Sequence, residues 1–283
     1  MEIETRDLQL ALLNMMKSFH EVCQENNITY YMLGGTCLGA IRHSGFIPWD
    51  DDMDVGIPRK DYEKLCRIAK DILPSNLALR YYTNTANSPF HFVKLINTNT
   101  TLIENNYRNY VEGIYIDVFP LDGMENIGLF QKIRARAIRV LHAIIMNHYY
   151  TGEPKPGLKN AFTIFAKALS MKMIHNILEK MMVQDKRPDP RYYCNFLGAW
   201  KDREIIKREV FGKPTLYTFE DTEFYGPENA DAYLTSLYHD YMTPPPVEKR
   251  VCRHDYYYVD LNMPFREFES RSNNDDNGFS IEH

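Results

Sequence analysis

The chain lacks several features that mark common protein classes. Its 283 residues contain five cysteines, an odd number, with no CxxC pair among them. That pattern argues against a disulfide framework and a structural zinc site, and it predicts reduced thiols. The acidic N-terminus has neither the basic nor the apolar region of a secretory signal, and no run reaches the roughly 18–20 apolar residues of a membrane span. These absences predict a cytoplasmic protein.

What is present is an ordinary globular composition, 44% hydrophobic and 25% charged. Amphipathic patterns predict helices at 6–26, 36–43 and 61–72, and apolar runs predict strands at 28–33, 52–57, 77–83, 91–96 and 113–119. The alternation of helix and strand predicts a mixed sheet flanked by helices, in the α/β (α+β) class.

Charge divides the chain into parts. Residues 128–187 hold 11 Lys and Arg against 3 Asp and Glu, a balance of +8. Because the net charge of the whole chain is −5, the other residues together carry −13. Helices predicted at 128–148 and 158–183 make this part a basic helical insert. We therefore predict a catalytic core at 1–127, the basic segment at 128–187, a C-terminal part at 188–269 that packs back on the core, and a disordered tail at 270–283.

The segment 50–54 concentrates negative charge, with four aspartates in five residues. Such a cluster is self-repelling unless a cation neutralises it. On the predicted strand, Asp52 and Asp54 point to the same side about 7 Å apart, a spacing that suits one or two Mg²⁺ ions. Asp50 and Asp51 are either part of this site or structural.

Two further features complete the candidate site. Asp117 stands alone in an apolar strand, GIYIDVFPLDG, where an unpaired charge is costly, so it is the candidate third carboxylate; a turn or capping role is the alternative. Gly34 and Gly35 follow a predicted strand, and Thr36 is a candidate N-cap of the next helix, whose N–H groups would face phosphate. Strand, glycine pair, helix and Asp-x-Asp together are typical of nucleotidyltransferase folds.

The segment GGTCLGAIRHSGFIPWDDDMDVGIPRKDYEKL resembles the LicD family. The later segments KLINTNTTLIE, GIYIDVFPLDG and LYHDYMTPPPVEKR agree with it, so the resemblance spans roughly residues 6–264. The family includes the fukutin-type transferases, some with a cysteine-bound zinc that these cysteine spacings do not support.

The resemblance implies a nucleotidyltransferase-like fold and a Mg²⁺-dependent transfer of phosphocholine from CDP-choline to a sugar hydroxyl of a teichoic acid or other cell-surface glycan. It implies that Gly34, Gly35 and Thr36 cradle phosphate. It also implies that Asp52, Asp54 and Asp117 hold the metal and carry catalysis.

Four more residues fall in the matching segments, namely Arg42, His43, Lys94 and Arg250. We assign Arg42 and Lys94 to phosphate charge, with structural ion pairs as the alternative. His43 or a carboxylate would accept the proton of the acceptor hydroxyl. Trp49 would either stack on a quaternary ammonium or pack in its loop.

Two alternative functions stay open. One keeps the chemistry and moves glycerol or ribitol phosphate from a CDP-polyol. The other is a non-catalytic protein that uses the basic helices to bind a polyanion or a membrane, although a pure binder has no need of the acidic cluster. Nucleic acid is not an expected partner.

The acceptor implied by the resemblance is a lipid-linked glycan, so we expect peripheral contact with an anionic membrane; a solvated helix face is the alternative reading of the charge. The apolar stripe Leu129, Ile133, Ala137 and Val140 is expected to pack in the core, with a place in the lipid interface as the alternative. Membrane binding should therefore be electrostatic and lost near 0.5 M NaCl.

Overall fold

The computed structural model describes residues 4–85, 87–153, 158–185, 187, 189–252 and 254–274. In this part of the chain the helices are α1 (Thr5–Glu25), α2 (Gly34–His43), α3 (Arg59–Ile72), α4 (Leu129–His148), α5 (Leu158–Lys167), α6 (Met171–Met182), α7 (Arg208–Phe211), α8 (Ala230–Tyr238) and α9 (Phe265–Asn274). The strands are β1 (Tyr31–Met32), β2 (Asp54–Pro58), β3 (Leu77–Arg80), β4 (Val93–Asn97), β5 (Thr101–Glu104), β6 (Val111–Glu112), β7 (Tyr115–Met124), β8 (Tyr192–Cys194), β9 (Ile205–Lys207), β10 (Thr215–Phe219), β11 (Thr222–Gly226) and β12 (Tyr256–Asp260).

The main sheet has the order β1-β2-β7-β4-β3, and β8 with β9 extends it from the end of β7. Strands β2 and β7 run parallel at its centre, and the other neighbours are antiparallel. The long strand β7 is buried along most of its length, as its apolar sequence requires. A mixed sheet flanked by helices confirms the predicted fold class.

Helix α1 covers the sheet with its apolar stripe. Leu12, Met16 and Phe19 recur at helical spacing and are fully buried. Helix α3 starts directly after Pro58, which fixes the backbone angle at its entrance. Both helices pack against the central strands, so the core lies under β2 and β7.

The C-terminal part supplies strands to elements far away in sequence. β12 pairs with β5, and β5 pairs with β6, in a separate small sheet. The β10–β11 hairpin packs against α2 and β1. Helix α9 extends to Asn274, so it includes the first five residues of the predicted disordered tail. The rest of that tail, 275–283, lies outside the described residues.

One long helix predicted at 158–183 is wrong, because α5 ends at Lys167 and α6 begins at Met171. The three residues between them contain neither Gly nor Pro, so no sequence signal marks the break. The Ala168 and Leu169 N–H groups bond three residues back, to Phe165 and Ala166. The break allows α5 and α6 to pack separately against α4.

The predicted burial of the α4 stripe is also wrong. Leu129, Ile133 and Val140 are exposed, and the buried side holds Ala135 and Ile138 instead. Because α4 is apolar on more than one side, its periodicity alone cannot identify the side that packs. No helix in the described part of the chain is long and apolar enough to cross a bilayer.

Candidate active site

Two carboxylates lie side by side at the centre of the main sheet. Asp54, the first residue of β2, is the register partner of Asp117 on the parallel strand β7. The Asp117 N–H donates to the Met53 carbonyl at 3.0 Å, which fixes this register. Neighbouring strands are about 4.8 Å apart, and paired residues point to the same side. The structure therefore brings the two carboxylates together.

Asp52 reaches the same site from the segment that precedes β2, since the strand begins two residues later than predicted. Its charge acts on both neighbours: it raises the pKa of Asp54 and the pKa of Asp117. Asp50 also raises the pKa of Asp54. The sequence cluster is thus a spatial cluster as well.

Burial is the main cause of these pKa changes. It raises the pKa of Asp117 to about 7, although the nearby Lys94 charge lowers it. The pKa of Asp54 lies well above its ordinary value, because burial and then the Asp52 and Asp117 charges disfavour ionisation. Asp117 Oδ1 is buried and has no hydrogen-bond partner among the described residues. A self-repelling set of carboxylates with an unpartnered Asp117 oxygen fits a divalent cation.

A second set of contacts closes over the acidic segment from the C-terminal part. His254 Nδ1 donates to Asp51 Oδ1 at 2.7 Å, and His254 Nε2 lies 3.8 Å from Asp52 Oδ2. Cys252 Sγ donates to Asp51 Oδ2 at 2.8 Å. Burial lowers the pKa of His254, but the Asp51 bond and the Asp52 charge outweigh it and raise that pKa to about 9. Asp51 is therefore paired with an imidazolium.

Oxygen and nitrogen atoms of Asp51, Asp52 and His254 lie within 4.8 Å of one another, so these three could also hold a metal. In the metal-free protein the raised pKa of His254 keeps its nitrogens protonated near neutral pH, so a metal bound there would have to displace a proton. We therefore favour Asp52, Asp54 and Asp117 as the metal-holding set. His254 falls in no sequence motif and precedes no recognisable pattern, so nothing in the sequence marks it as part of the site.

The glycine pair gives the acids room. Gly34 has a φ of +47°, and a Cβ there would lie 3.3 Å from Asp54 Oδ2. A Cβ at Gly35 would lie 2.6 Å from Asp50 Oδ2, so that carboxylate would have to move. The two glycines therefore let the start of α2 approach these carboxylates closely.

Thr36 is inside α2 and is not its N-cap, which is Leu33. The Thr36 hydroxyl accepts a hydrogen bond from the Asp54 N–H at 2.8 Å. The Gly34 N–H donates to the Tyr233 hydroxyl at 3.0 Å. These bonds hold the acids in place, so phosphate cradling by Gly34, Gly35 and Thr36 stays a prediction.

Two arginines lie at the rim of the site. Burial lowers the pKa of Arg42; the Arg250 charge lowers it further, and the Asp50 charge raises it. Arg42 Nη1 donates to the Tyr241 carbonyl at 2.8 Å, and its Nε donates to His43 Nε2 at 3.0 Å. Two guanidinium groups near each other and near the acidic cluster could bind a polyanion.

Aromatic rings gather at the same rim. The Arg250 guanidinium lies 5.4 Å from the centre of the Trp49 ring, which also meets His43 edge to face. Tyr238 lies close enough to Asp54 for the carboxylate to raise the pKa of its hydroxyl, after the larger effect of burial. Trp200 packs edge to face against Tyr238 at 4.8 Å.

Lys94 does not face this rim. It is 1% exposed, and its ammonium donates to Glu112 at 2.9 Å and to Glu104 at 3.0 Å. It also lies between the rings of Phe90 and Tyr115. The contacts favour the structural ion pair that the sequence left open over a role in binding phosphate.

Comparison with known proteins agrees with this geometry. Residues 27–134, which contain the carboxylates and the glycine pair, match the family described as LicD/FKTN/FKRP, nucleotidyltransferase domain. The lipopolysaccharide cholinephosphotransferase LicD of Haemophilus influenzae is 27% identical over 273 residues, covering 89% of this chain and 97% of that protein.

Two uncharacterized proteins match shorter stretches. One, from Rickettsia prowazekii, is 46% identical over 72 residues, 25% of this chain and 26% of its own length. The other, from Rickettsia typhi, is 52% identical over 52 residues, 18% of this chain and 17% of its own length. The acidic cluster on β2 and β7 thus lies within residues 27–134, the part of the chain that matches the LicD-family nucleotidyltransferase domain.

Proposed function

We propose that this protein transfers phosphocholine from CDP-choline to a sugar hydroxyl of a cell-surface glycan, with Mg²⁺ as cofactor. The supporting observation is that the similarity to a cholinephosphotransferase extends over 97% of that relative's length and includes the carboxylate cluster. The relative's name specifies lipopolysaccharide. For this chain the acceptor is a glycan of that kind or a teichoic acid, lipid-linked in either case.

Asp52, Asp54 and Asp117 would hold the metal, which when bound neutralises charge on the donor diphosphate. Arg42 and Arg250 would bind the same diphosphate from the rim. The acceptor oxygen forms a new bond to the outer phosphorus as the bond to cytidine monophosphate breaks, and the nucleotide leaves with that electron pair. Fixed cations stabilise the charge that develops on the leaving phosphate.

The proton of the acceptor hydroxyl needs a base. His43 Nε2 already accepts a hydrogen bond from Arg42, and that lone pair is not available while the bond persists. Burial and the Arg42 charge lower the pKa of His43. We therefore assign the proton to a carboxylate of the acidic cluster.

Phosphocholine is favoured over a polyol phosphate by the rings at the rim. Trp49, Trp200 and Tyr238 offer aromatic faces and edges near the carboxylates. Aromatic rings attract a quaternary ammonium, and Trp49 already has one cation, the Arg250 guanidinium, over its ring. Trp49→Ala should therefore weaken CDP-choline binding more than CDP-glycerol binding.

The direct test is a donor panel of CDP-choline, CDP-ethanolamine, CDP-glycerol and CDP-ribitol, with and without Mg²⁺. CDP-choline at 100 times its dissociation constant should stabilise the protein by about 2.7 kcal/mol. Cytidine monophosphate should be released only with Mg²⁺ and a glycan acceptor.

Asp54→Asn should abolish release by removing a metal ligand, while the metal-free protein stays folded because repulsion in the cluster falls. Asp221→Asn, an exposed carboxylate remote in sequence, is the matched control and should stay active. Full turnover in Asp54→Asn contradicts the assignment. Preference for a CDP-polyol supports the polyol alternative, and no nucleotide release with any donor supports the non-catalytic one.

A further inference from the structure

The outer side of α4 is apolar and open to solvent. Leu129 is 76% exposed, Phe130 65%, and Ile133 and Val140 54% each. At 100° per residue, Leu129, Ile133, Arg136 and Val140 fall within one narrow sector of the helix, with Phe130 and Lys132 on either side of it. We call these six residues the docking face. Isolated exposed apolar residues are ordinary, but a continuous stripe of this kind marks an interaction surface.

The helices that carry and flank the docking face are mainly positive, although Arg139 of α4 pairs with Asp202. Helices α4 and α5 contain no Asp or Glu, and α6 contains Glu179 alone, which pairs with Arg59. Lys132 and Arg136 are exposed and form no ion pair with any described residue. The face therefore offers free cations beside apolar side chains.

The same combination recurs on α6. A groove of about 390 Å³ runs along its outer side, where two lysines border two apolar side chains. Neither lysine forms an ion pair within the described ranges. The groove is lined by Ser170, Lys172, Met173, Asn176, Ile177 and Lys180.

We propose that the docking face binds an anionic membrane surface, with Leu129, Phe130, Ile133 and Val140 entering the lipid interface. Apolar side chains next to Lys and Arg are the composition of helices that lie in the plane of a bilayer. Lys132 and Arg136 can keep their charges at the phosphate level while their alkyl stems cover apolar surface. This inference goes beyond the proposed function and does not depend on it.

A second copy of the chain fits the face less well. A symmetric contact places the same residues opposite one another, so cations of both copies would meet with no acid on the helix to compensate. Anionic lipid headgroups supply the missing negative charge. The mode of binding is partial insertion of these apolar side chains. The prediction of purely electrostatic contact depended on burial of the α4 stripe, and the stripe is exposed.

The test is flotation of the purified full-length protein with vesicles of equal parts phosphatidylglycerol and phosphatidylcholine, against vesicles of phosphatidylcholine alone. The wild-type protein should bind the anionic vesicles and should stay partly bound at about 0.5 M NaCl, where the screening length is about 4 Å. Leu129→Ser/Ile133→Ser should lower the partition coefficient at least about 10-fold at both low and high salt.

Lys132→Gln/Arg136→Gln measures the electrostatic contribution to vesicle binding. It should lower binding roughly 30-fold at low salt and have little effect at high salt. Leu216→Ser, an exposed apolar residue on β10, is the matched control and should bind like the wild type. Far-ultraviolet circular dichroism checks that each variant is folded.

Phe130→Trp reports insertion directly. Its fluorescence should shift to the blue on anionic vesicles and be quenched by lipids with brominated chains. The proposal is overturned if the wild type ignores anionic vesicles, or if Leu129→Ser/Ile133→Ser binds as well as the wild type. It is also overturned if the face mediates a dimer in solution that this double variant abolishes.

Discussion

At the scale of single residues, Lys94 shows how a buried charge supports the acidic site without facing it. Its register partner on β7 is Asp117, so the ammonium lies one strand away from the candidate metal ligand. Glu104 and Glu112 hold it by direct bonds. Burial lowers the pKa of Lys94, but the charges of these two glutamates outweigh burial and keep that pKa above its ordinary value. A permanent cation next to Asp117 favours the ionised form of that carboxylate.

Lys94→Met should lower the free energy of unfolding by about 3–5 kcal/mol, because it leaves the buried Glu112 and the half-buried Glu104 without their cation. Urea unfolding followed by circular dichroism measures this loss. Lys94→Met/Glu112→Gln should recover part of it, since one of the uncompensated charges is then removed. A stable Lys94→Met protein with weakened binding of CDP donors would instead restore the phosphate role predicted from sequence.

At the scale of elements, α6 is joined to the sheet through a chain of buried and half-buried polar groups. Arg59 donates to Asp122 at 2.7 Å and to Glu179 at 3.0 Å, and Glu179 accepts from His91 at 3.1 Å. His91 then shares a hydrogen bond of 2.8 Å with His175 of α6. Removing a partner from such a network costs more than an exposed ion pair, because its neighbours stay buried.

His142, on α4, lies close to this network. Burial and then the His91 charge lower its pKa to about 4. Its Nε2 is buried and has no hydrogen-bond partner among the described residues. The junction between the basic helices and the core thus contains histidines that must stay neutral in the folded protein.

His142 should make stability depend on pH. A histidine in the unfolded chain has a pKa near 6.5. Between about pH 6.5 and 4 the unfolded chain therefore binds a proton that folded His142 does not bind. The free energy of unfolding should accordingly decrease as the pH is lowered through this range. Between about pH 7.5 and 5, the wild type should lose on the order of 2 kcal/mol more than His142→Leu. Ile138→Val should lower stability equally at both pH values. Parallel pH profiles for the wild type and His142→Leu would contradict the prediction.

At the scale of the whole molecule, what the sequence predicts depends on distance along the chain. Asp54 and Asp117 each lie in an apolar strand, and each strand can be recognised from its own local sequence. Their pairing in the sheet therefore follows from two local patterns. The contact of His254 with Asp51 joins residues 203 positions apart, and no periodicity or turn signal refers to it. The break between α5 and α6 and the exposed side of α4 are likewise settled by packing.

The C-terminal part completes the fold around the site. Strand β12 pairs with β5, and the segment before it brings Cys252 and His254 onto Asp51. Asp51 is buried, and the His254 bond helps to hold its pKa below the ordinary value against the effect of burial. Without that cation the buried carboxylate would keep only neutral donors such as Cys252, so the stability of the acidic segment depends on the end of the described chain.

A chain ending at Arg250 should therefore be destabilised by several kcal/mol, because it loses the β12 pairing and the His254 charge together. Full-length His254→Gln keeps the strand and removes only the charge, so its midpoint of urea unfolding should lie between those of the truncated and wild-type proteins. A chain ending at Asn274 is the matched control and should unfold like the wild type, because it retains β12, α9 and every described contact of His254. If the chain ending at Arg250 unfolded at the wild-type midpoint, β12 and His254 would contribute nothing to stability. The acidic segment would then have to be held by α2 and β2 alone.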